Sequence, residues 1–466
     1  MHKNIFGKVN QVHFVGIGGS GMSGIAEILH GMGFRVTGSD IHESEVTKRL
    51  RELGIPVDIG HNVDQVLNSD VVIYSSAVKP ERDPEVLAAS DRQIPVIRRA
   101  EMLGELMRLK NGIAIAGTHG KSTTTTMVGQ ILTVGGFDPT IIVGGIVKSF
   151  GSGAKLGSGD YLVVEADEYD RSFLRLSPVM AVVTNLEVEH LDCYKDLDEI
   201  KAAFVEFVNH VPFFGLVVFC IDNSGVQDIM PDVERRIFTY GLSPQADIRA
   251  MKISYTQFSS RFLVMNKDEE LGEILLNVPG GHNVRNALAS ICVGLELDVP
   301  FDVIRIALEK FTTVRRRFEL KGTAGGVMIV DDYAHHPTEI EASLRGAREG
   351  FDRRIIAVFQ PHLYSRTKNF YNEFGRSFLD TDVLYVMDVY PAREEPIEGV
   401  TGELVARAAI EIGHRKVHYE PDMELLVEKL TAEVSNGDMV ITFGAGDVNR
   451  VGDLLLKRLE KCDDCK

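Results

Sequence analysis

The sequence has few cysteines, no long apolar run and no excess of positive charge. Five cysteines among 466 residues are an odd and sparse set, so we expect no disulfide framework and a reducing compartment. The amino-terminal segment lacks an apolar stretch of the kind found in secretion signals, and no window reaches about 18 consecutive apolar residues. A cytoplasmic protein that does not bind membranes is therefore expected.

The net charge restricts the class of ligand. Lysine and arginine number 50 and aspartate and glutamate 67, which gives a formal net charge of −17. Binding to a nucleic-acid backbone or to an anionic membrane needs a positive surface, so neither is expected to be the main task. Any phosphate-binding site must therefore be local.

Chain length and patterning predict an α/β fold in three domains. At about 150 residues per domain, this length corresponds to about three. Short apolar runs alternate with helical patterns and polar turns throughout the chain, which is typical of α/β units with parallel sheets. We predict a Rossmann-like amino-terminal domain (1–106), a central α/β domain (107–313) and a Rossmann-like carboxyl-terminal domain (314–466).

A glycine turn follows the first apolar run. Gly16, Gly18 and Gly21 satisfy the G-x-G-x-x-G pattern between a strand and a helix, and Asp40 lies about twenty residues further on. The bare backbone of such a turn can approach a pyrophosphate, and the carboxylate can accept a hydrogen bond from a ribose hydroxyl. NAD and a nucleoside-diphosphate sugar both satisfy this chemistry, so the motif alone leaves the ligand open.

A second phosphate-binding motif, "GTHGKS" at 117–122, follows the first apolar run of the central domain. It is a variant of the Walker A loop, because Ile115 occupies the place of the first glycine. The motif predicts that the central domain is a P-loop-type ATPase domain. Backbone N–H groups at the helix start can still bind phosphate, Lys121 can reach the β- and γ-phosphates of ATP, and Ser122 can bind Mg²⁺. Four threonines follow at 123–126, and we interpret their hydroxyls as lying near phosphate and metal.

Acidic residues follow the next two apolar runs of the central domain. Glu165 ends one run and is followed by Asp167, Glu168 and Asp170. We interpret Glu165 as a Mg²⁺ ligand, since that ion prefers hard oxygen ligands, and Asp170 as part of a solvated turn. The next run ends in "TNLEVEHLD", which makes His190 a candidate ligand for a second metal ion.

Later segments supply residues that can complete the site. His282 and Asn286 lie one turn apart at a helix start, where they can contact a nucleotide base or simply cap the helix. The arginines 315–317 lie at the predicted domain boundary, where one of them can contact the transferring phosphoryl group. The histidines 335–336 and Arg366 follow successive apolar runs and can together bind a carboxylate or, alternatively, a zinc ion.

These motifs occur in order across nearly the whole chain, and together they resemble the Mur ligases of peptidoglycan synthesis. The matching segments are "GIGGSGMSGIAE", "GTHGKST", "EADEYD", "TNLEVEHLD", "GHNVRNALA", "RRFE", "DDYAHHPTE" and "FQPH". The resemblance implies a ligase that uses ATP and Mg²⁺ to join L-alanine to the lactyl carboxylate of UDP-N-acetylmuramate through an acyl phosphate. It implies that the glycine turn binds UDP and not NAD. A monomer or a homodimer is expected.

The resemblance also implies roles for individual residues. Catalytic roles are expected for Lys121, His190, Arg317 and His335, and metal binding for Ser122, Glu165 and His190. ATP contacts are expected from Gly117, Thr118, His119, Gly120, Lys121, Ser122, Thr123, His282, Asn286, Arg317 and Asp332. UDP-substrate contacts are expected from Gly16, Gly18, Gly19, Ser20, Gly21, Met22, Asp40 and Ser76. Contacts with the amino acid are expected from Tyr333, His335 and Arg366.

The identity of the acceptor is the most open of these expectations. Family members often have glycine at the place of Ala334, and some have arginine at the place of Leu363. A recycling ligase that attaches a whole tripeptide to the same UDP-muramate is the main alternative. Two further alternatives are a folylpolyglutamate-type synthase and a nucleotide-gated binding protein. The first lacks the amino-terminal domain that contains the glycine turn, which weighs against it. The second would bind ATP without turnover.

Overall fold

The computed structural model describes residues 6–189, 193–392 and 394–463, without the side chains of Ser20, Cys462 and Asp463. The chain forms two compact units. The first comprises Met1–Lys252, Phe262–Leu275 and Val284–Thr312, and the second comprises Ile253–Arg261, Leu276–Asn283 and Thr313–Lys466.

The first sheet belongs to the first unit and is fully parallel. Its strands are β1 (Gln11–Val15), β2 (Arg35–Asp40), β3 (Val57–Ile59), β4 (Val71–Tyr74) and β5 (Val96–Arg98). They follow the order β3-β2-β1-β4-β5. The helices between and after them are α1 (Ser20–Gly31), α2 (Glu45–Glu52), α3 (Val63–Val66), α4 (Pro84–Asp91) and α5 (Arg99–Met107). The strand order reverses at β1, which is where open parallel sheets bind ligands.

The second sheet has ten strands around a parallel core. They are β6 (Asn111–Ala116), β7 (Thr140–Val147), β8 (Ser152–Lys155), β9 (Tyr161–Glu165), β10 (Met180–Val183), β11 (Leu216–Cys220), β12 (Ile237–Gly241), β13 (Ile248–Thr256), β14 (Ser259–Asn266) and β15 (Glu269–Leu276). Their order is β15-β14-β13-β12-β11-β10-β6-β9-β7-β8. The central strands β10 and β11 are buried along their whole length, which explains their unbroken apolar sequences.

Helices of the central region follow the same alternation. They are α6 (Lys121–Val134), α7 (Leu197–Asn209), α8 (Ser224–Ile229), α9 (Gly281–Glu296) and α10 (Phe301–Glu309), with 3₁₀ turns at Tyr169–Arg175 and Met230–Asp232. Helix α6 follows β6 directly through the loop of residues 117–120, and β6 pairs in parallel with β9 and β10. The carboxyl ends of these three strands therefore lie side by side.

The third sheet belongs to the second unit and has apolar clusters on both faces. Its strands are β16 (Glu319–Ala324), β17 (Val327–Asp332), β18 (Ile355–Phe359), β19 (Val383–Val386), β20 (Val417–Tyr419) and β21 (Met439–Phe443), in the order β16-β17-β21-β18-β19-β20. Only β16 is antiparallel to its neighbour among these described strands. The helices are α11 (Pro337–Gly350), α12 (Tyr364–Ser377), α13 (Gly402–Glu411), α14 (Met423–Glu433) and α15 (Asn449–Asp463).

The predicted α/β fold class with parallel sheets is confirmed. The three sheets span residues 11–98, 111–276 and 319–443, while the boundaries 1–106, 107–313 and 314–466 stay predictions. Among the described residues, no helix has the length and apolar character needed to cross a bilayer.

Candidate active site

The glycine turn lies at the carboxyl end of β1. Gly16 has a φ of +77°, a left-handed conformation that glycine adopts without strain. The Gly18 N–H donates to Asp40 Oδ2 at 2.8 Å, and the His42 N–H donates to Asp40 Oδ1 at 3.2 Å. A Cβ at Gly18 would lie 2.8 Å from the same Oδ2. Asp40 therefore holds the turn in shape and requires glycine at its closest approach.

A cavity of about 560 Å³, here called the first cavity, opens beside this turn. Its lining includes four of the predicted UDP contacts, namely Gly16, Gly18, Gly19 and Asp40. Met22 is different: its side chain is buried in the core, and its N–H donates to Gly19 O at 2.9 Å. Ser20 begins helix α1, and its side chain lies outside the described part of the chain.

The lining of a second cavity, of about 510 Å³, includes the predicted residue Ser76 together with four arginines and three carboxylates. Its lining includes Arg98, Arg99, Arg171 and Arg175. A Cβ at Gly21 would lie 2.6 Å from an Arg99 guanidinium nitrogen, so this arginine lies against the start of helix α1. A guanidinium group beside the positive end of a helix dipole favours an anionic ligand. The sequence motifs do not indicate these arginines.

The phosphate loop lies between β6 and α6, as predicted. Gly117 has a φ of +124° and Gly120 a φ of +85°. A Cβ at Gly120 would lie 2.6 Å from Asn286 Oδ1, so Asn286 packs directly on the loop. Thr123, at the first turn of α6, is buried. His282 lies one turn before Asn286 on α9.

Lys121 is enclosed by oxygen atoms. Its Nζ donates to Gly117 O at 2.7 Å, to Thr118 O at 3.3 Å and to both Glu168 carboxylate oxygens at 2.9 and 3.1 Å. Burial opposes the charge on Lys121, but the Glu168 and Asp167 carboxylates outweigh it and hold the lysine pKa above its usual value. The lysine is therefore a fixed cation at the loop, with Glu168 as its counter-ion.

Residues 185–187, which follow β10, stabilise the phosphate loop through hydrogen bonds. The His119 N–H donates to Asn185 Oδ1 at 2.8 Å, and Asn185 Nδ2 donates back to His119 O at 3.0 Å. The Glu187 N–H donates to the Thr118 hydroxyl at 3.0 Å, and His119 Nε2 lies 3.5 Å from Glu187 Oε2. The loop therefore keeps its conformation through side chains more than sixty residues away.

The four threonines 123–126 were expected to place their hydroxyls near phosphate and metal, and the structure does not support this for three of them. Thr124 and Thr125 are fully buried, and no hydroxyl or carbonyl group of the described residues pairs with their hydroxyls. The Thr126 hydroxyl donates to Ser122 O at 2.8 Å. These three side chains pack inside the unit, so their interpretation as phosphate-side hydroxyls was wrong.

The candidate metal ligands lie at adjacent strand ends. Glu165 is paired in register with Ile115 near the end of β6, one loop before Ser122. Glu165 Oε1 accepts a hydrogen bond from the Gly144 N–H at 2.9 Å, which orients the carboxylate. His190 lies outside the described residues.

Two adjacent arginines of the second unit have different environments. Arg316 Nε donates to the buried Asp331 at 3.0 Å, and its other nitrogens donate to Gly444 O at 2.6 Å and Gly446 O at 3.1 Å. Arg317 Nη1 donates to Glu339 at 3.4 Å, and its guanidinium lies 5.4 Å from the Tyr333 ring centre. Arg316 is thus a structural residue, which the motif did not reveal.

The predicted amino-acid contacts are brought together in the second unit. The Tyr333 and His335 rings lie 5.3 Å apart and the His335 and His362 rings 5.9 Å apart. Arg366 Nη1 lies 3.3 Å from His362 Nδ1. The His362 ring stacks on Tyr390 at 5.8 Å, which adds a residue that the sequence pattern did not suggest.

Asp332 is the last residue of β17, directly before Tyr333. It is 4 % exposed, and it accepts hydrogen bonds from the Ser343 hydroxyl at 2.6 Å and the Ala334 N–H at 2.9 Å. Burial raises the pKa of Asp332 to about 6. This carboxyl is held by the loop that follows β17 and by helix α11, and its contact with ATP stays a prediction.

The pKa of Asp332 predicts a pH-dependent stability. The unfolded chain releases this proton near pH 4, whereas the folded chain holds it until about pH 6. Folding therefore becomes less favourable as the pH rises between these values. We expect the free energy of unfolding to fall by up to about 3 kcal/mol between about pH 4 and 7 relative to Asp332→Asn. Urea titrations of both proteins measure this, and a pH-independent difference would contradict it.

Family models match the chain in three consecutive stretches. They are the Mur ligase family catalytic domain at residues 11–111, the Mur ligase middle domain at 115–294 and the Mur ligase glutamate ligase domain at 316–446. The chain belongs to the Mur ligase family. The motifs of the glycine turn and of the phosphate loop in this Mur ligase fall in the first and second stretches.

Curated relatives are similar over almost the full chain. A UDP-N-acetylmuramate–L-alanine ligase of Salinibacter ruber is 54 % identical over 97 % of this chain and 96 % of its own length. A ligase of the same name from Geotalea daltonii is 52 % identical over 98 % of this chain and 100 % of its own.

Solved structures of two kinds of ligase resemble this Mur ligase. The UDP-N-acetylmuramate-alanine ligase of Thermotoga maritima has a TM-score of 0.83 at 29 % identity and covers 97 % of this chain and 99 % of its own. A murein peptide ligase of Psychrobacter arcticus has a TM-score of 0.71 at 26 % identity, with coverages of 97 % and 98 %.

Proposed function

We propose that this Mur ligase uses ATP to join L-alanine to the lactyl carboxylate of UDP-N-acetylmuramate in peptidoglycan precursor synthesis. The observation that decides this is the near full-length identity of over 50 % to ligases of that name. The chain has two phosphate-binding turns, which suits an enzyme that binds a sugar nucleotide and ATP at the same time. The alternative, a tripeptide-adding ligase, is less well supported, since its structural relative is the less similar of the two.

The reaction proceeds through an acyl phosphate. The lactyl carboxylate attacks the γ-phosphorus of ATP and releases ADP, and the alanine amine then attacks the acyl carbon. The tetrahedral intermediate expels inorganic phosphate and leaves an amide, with one amine proton released. The protein contributes mainly by positioning two anionic reactants and by stabilising charge.

The nucleotide of the sugar substrate is assigned to the first cavity. The backbone of Gly16, Gly18 and Gly19 offers room for the pyrophosphate, and Asp40 lies beside it. Ser76 and Arg99 line the second cavity, and Arg99 is proposed to supply positive charge to the acidic part of the substrate. We also propose that Ser20 and Gly21 contact the substrate, because they form the start of helix α1, where backbone N–H groups can bind phosphate.

ATP is assigned to the loop of residues 117–123. Lys121 is fixed as a cation there, so it can bind phosphate oxygens once Glu168 yields its place. Asn286 packs on Gly120 and His282 shares its helix, which supports a role near the adenosine side. Arg317 is proposed to contact the γ-phosphate. The buried Asp332 is proposed to act on ATP binding indirectly, because it stabilises the loop that follows β17.

The donor set at the loop fits Mg²⁺. A serine hydroxyl and a carboxylate are hard oxygen ligands, and Mg²⁺ in phosphate sites usually takes one or two protein oxygens and completes its shell with water and phosphates. Glu165 is oriented by Gly144, and Ser122 is the second residue of helix α6, directly after the loop. These residues and His190 are therefore the proposed ligands. When bound, the metal neutralises charge on the phosphates.

Glu165→Gln tests the metal assignment. Because the amide is neutral and a weaker ligand, the Mg²⁺ concentration for half-maximal phosphate release should rise at least about tenfold. Asp160→Asn is the matched control, because Asp160 precedes the opposite end of β9. An unchanged Mg²⁺ requirement in Glu165→Gln would remove this residue from the site.

The amino acid is assigned to the group of Tyr333, His335 and Arg366. Arg366 is an always-charged bidentate partner for a carboxylate, and its contact with His362 makes a zinc site a poor fit. His335 is proposed as the group nearest the attacking amine. Leu363 has a φ of +71°, and it begins the segment that presents Arg366.

One assay tests the whole function. Purified protein is supplied with ATP, Mg²⁺ and UDP-N-acetylmuramate, and phosphate release is measured with L-alanine, with the tripeptide and with neither. We expect release that depends on L-alanine. Release with the tripeptide alone would favour the recycling ligase, and ATP binding without release would favour a binding protein. We further propose a cytoplasmic location, where both nucleotide substrates are available, and a monomer or homodimer.

A further inference from the structure

The first cavity follows the carboxyl ends of three neighbouring strands. The glycine turn follows β1, Asp40 ends β2, and His61 comes two residues after β3; all three line the cavity. Neighbouring strands lie about 4.8 Å apart, so β3 is roughly 10 Å from β1. A nucleoside diphosphate with its pyrophosphate at the turn and its ribose near Asp40 therefore extends its base toward His61.

A buried carboxylate lies behind the His61 ring. Glu85 is fully buried; its Oε2 accepts from the Ser39 hydroxyl at 2.5 Å and its Oε1 from the Asn62 N–H at 2.8 Å. His13 Nε2 lies 3.4 Å from the same Oε1. Burial opposes ionisation of Glu85, but the hydrogen bonds of His13, Ser39 and Asn62 outweigh it and lower its pKa to about 2. The group is thus an ionised, acceptor-only carboxylate.

This carboxylate determines which nitrogen of His61 holds the proton. His61 Nδ1 lies 3.3 Å from Glu85 Oε2 and 3.7 Å from Asp83 Oδ2. A nitrogen that faces two carboxylates must donate, so the neutral imidazole has its proton on Nδ1 and leaves Nε2 as an acceptor. The His61 side chain is 40 % exposed and borders the cavity, so this acceptor is available to a ligand.

We infer that His61 recognises the uracil ring of the substrate by accepting a hydrogen bond from its N3–H, and that Glu85 is a positioning residue that fixes the required tautomer. The inference rests on the proposed function and adds the basis of base selection. Uracil has a donor at N3 where cytosine has an acceptor. A site built around one hydrogen bond rejects analogues that lack its partner, because a polar group is then left unpaired.

Calorimetric titrations with four ligands test this inference. UDP, N3-methyl-UDP, CDP and 2′-deoxy-UDP are titrated into the wild type, into His61→Ala and into His30→Ala. His30 is the control, because it is an imidazole of the same unit, on helix α1, that lines neither of the two cavities described above. For the wild type and His30→Ala, we expect N3-methyl-UDP and CDP to bind about tenfold or more weakly than UDP.

In His61→Ala, UDP should bind about tenfold more weakly and the difference between UDP and N3-methyl-UDP should shrink to about twofold. An N3-methyl penalty that persists in this variant would overturn the inference. So would a 2′-deoxy penalty that disappears with His61, because it would assign the imidazole to the ribose. Failure of UDP to bind the wild type would overturn the proposed function as well, whereas L-alanine-dependent ligation with an unaltered N3-methyl penalty would overturn only the role of His61.

A spectroscopic measurement tests the role of Glu85 separately. In ¹⁵N-labelled wild-type protein, at a pH where the imidazole is neutral, the ring nitrogens of His61 should show the tautomer with the proton on Nδ1. Glu85→Gln should shift this ring toward the other tautomer and weaken UDP binding, while His30 keeps its signals. An unchanged tautomer in a folded Glu85→Gln protein would overturn the positioning role.

Discussion

Lys121→Ala is expected to lower L-alanine-dependent phosphate release by at least about a thousandfold. The lysine is the one cation that the described phosphate loop itself contributes, and its ammonium group is already held by Gly117 O and Thr118 O. Binding of UDP-N-acetylmuramate, measured by calorimetry, should remain within about threefold of the wild type, because the glycine turn is a separate site. Loss of both properties would contradict two separate phosphate-binding turns.

The stability of this variant needs its own control. Removal of Lys121 leaves Glu168 buried without its counter-ion, which destabilises the fold. The double variant Lys121→Ala with Glu168→Gln should recover the melting temperature and remain inactive. Lys155→Ala, which removes an ion pair with Asp138 at the surface, should keep the wild-type rate. A double variant that regains activity together with stability would show that Lys121 has only a structural role.

Arg317→Ala is expected to lower kcat by about a hundredfold or more and to change the KM for ATP by less than about threefold. The arginine contacts Glu339 and the Tyr333 ring, and an arginine that stabilises the transferring phosphoryl group acts in the transition state more than in the ground state. Steady-state kinetics of phosphate release measure this. A rise in the KM for ATP alone would contradict a role in phosphoryl transfer.

The neighbouring arginine is the matched control. Arg316 binds the buried Asp331 and two backbone carbonyls near the end of β21. Arg316→Ala should therefore destabilise the protein by about 3 kcal/mol, seen in urea unfolding, whereas Arg317→Ala should change stability by less than about 1 kcal/mol. Equal losses of stability in both variants would contradict the assignment of a structural role to Arg316 and a catalytic role to Arg317.

The strand, turn and helix at each motif could be predicted because they depend on local chemistry. A glycine turn after an apolar run, or Gly-Lys-Ser before a helix, needs only the φ freedom and the N–H groups of a few adjacent residues. The structure has Gly16 and Gly120 in left-handed conformations at the two turns. The order of the apolar runs likewise predicts parallel sheets.

Long-range partners could not be predicted in this way. The hydrogen bonds between His119 and Asn185 join residues 66 positions apart, and no local pattern encodes them. From the sequence, the hydroxyls of Thr124 and Thr125 are expected to face the phosphate loop, but the packing of the helix places both side chains in the core. The same holds for Arg316 and Arg317, which are chemically identical in sequence and differ only in what the third sheet places beside them.

The Lys121–Glu168 pair affects which anions can occupy the resting loop. An ammonium group has three donors, and Gly117 O, Thr118 O and the Glu168 carboxylate already engage them. Chloride or a single inorganic phosphate would have to displace a buried carboxylate in exchange for one weak contact. A triphosphate offers several oxygens to the loop at once, so we expect simple salts to inhibit the enzyme little and the nucleotide to bind in their presence.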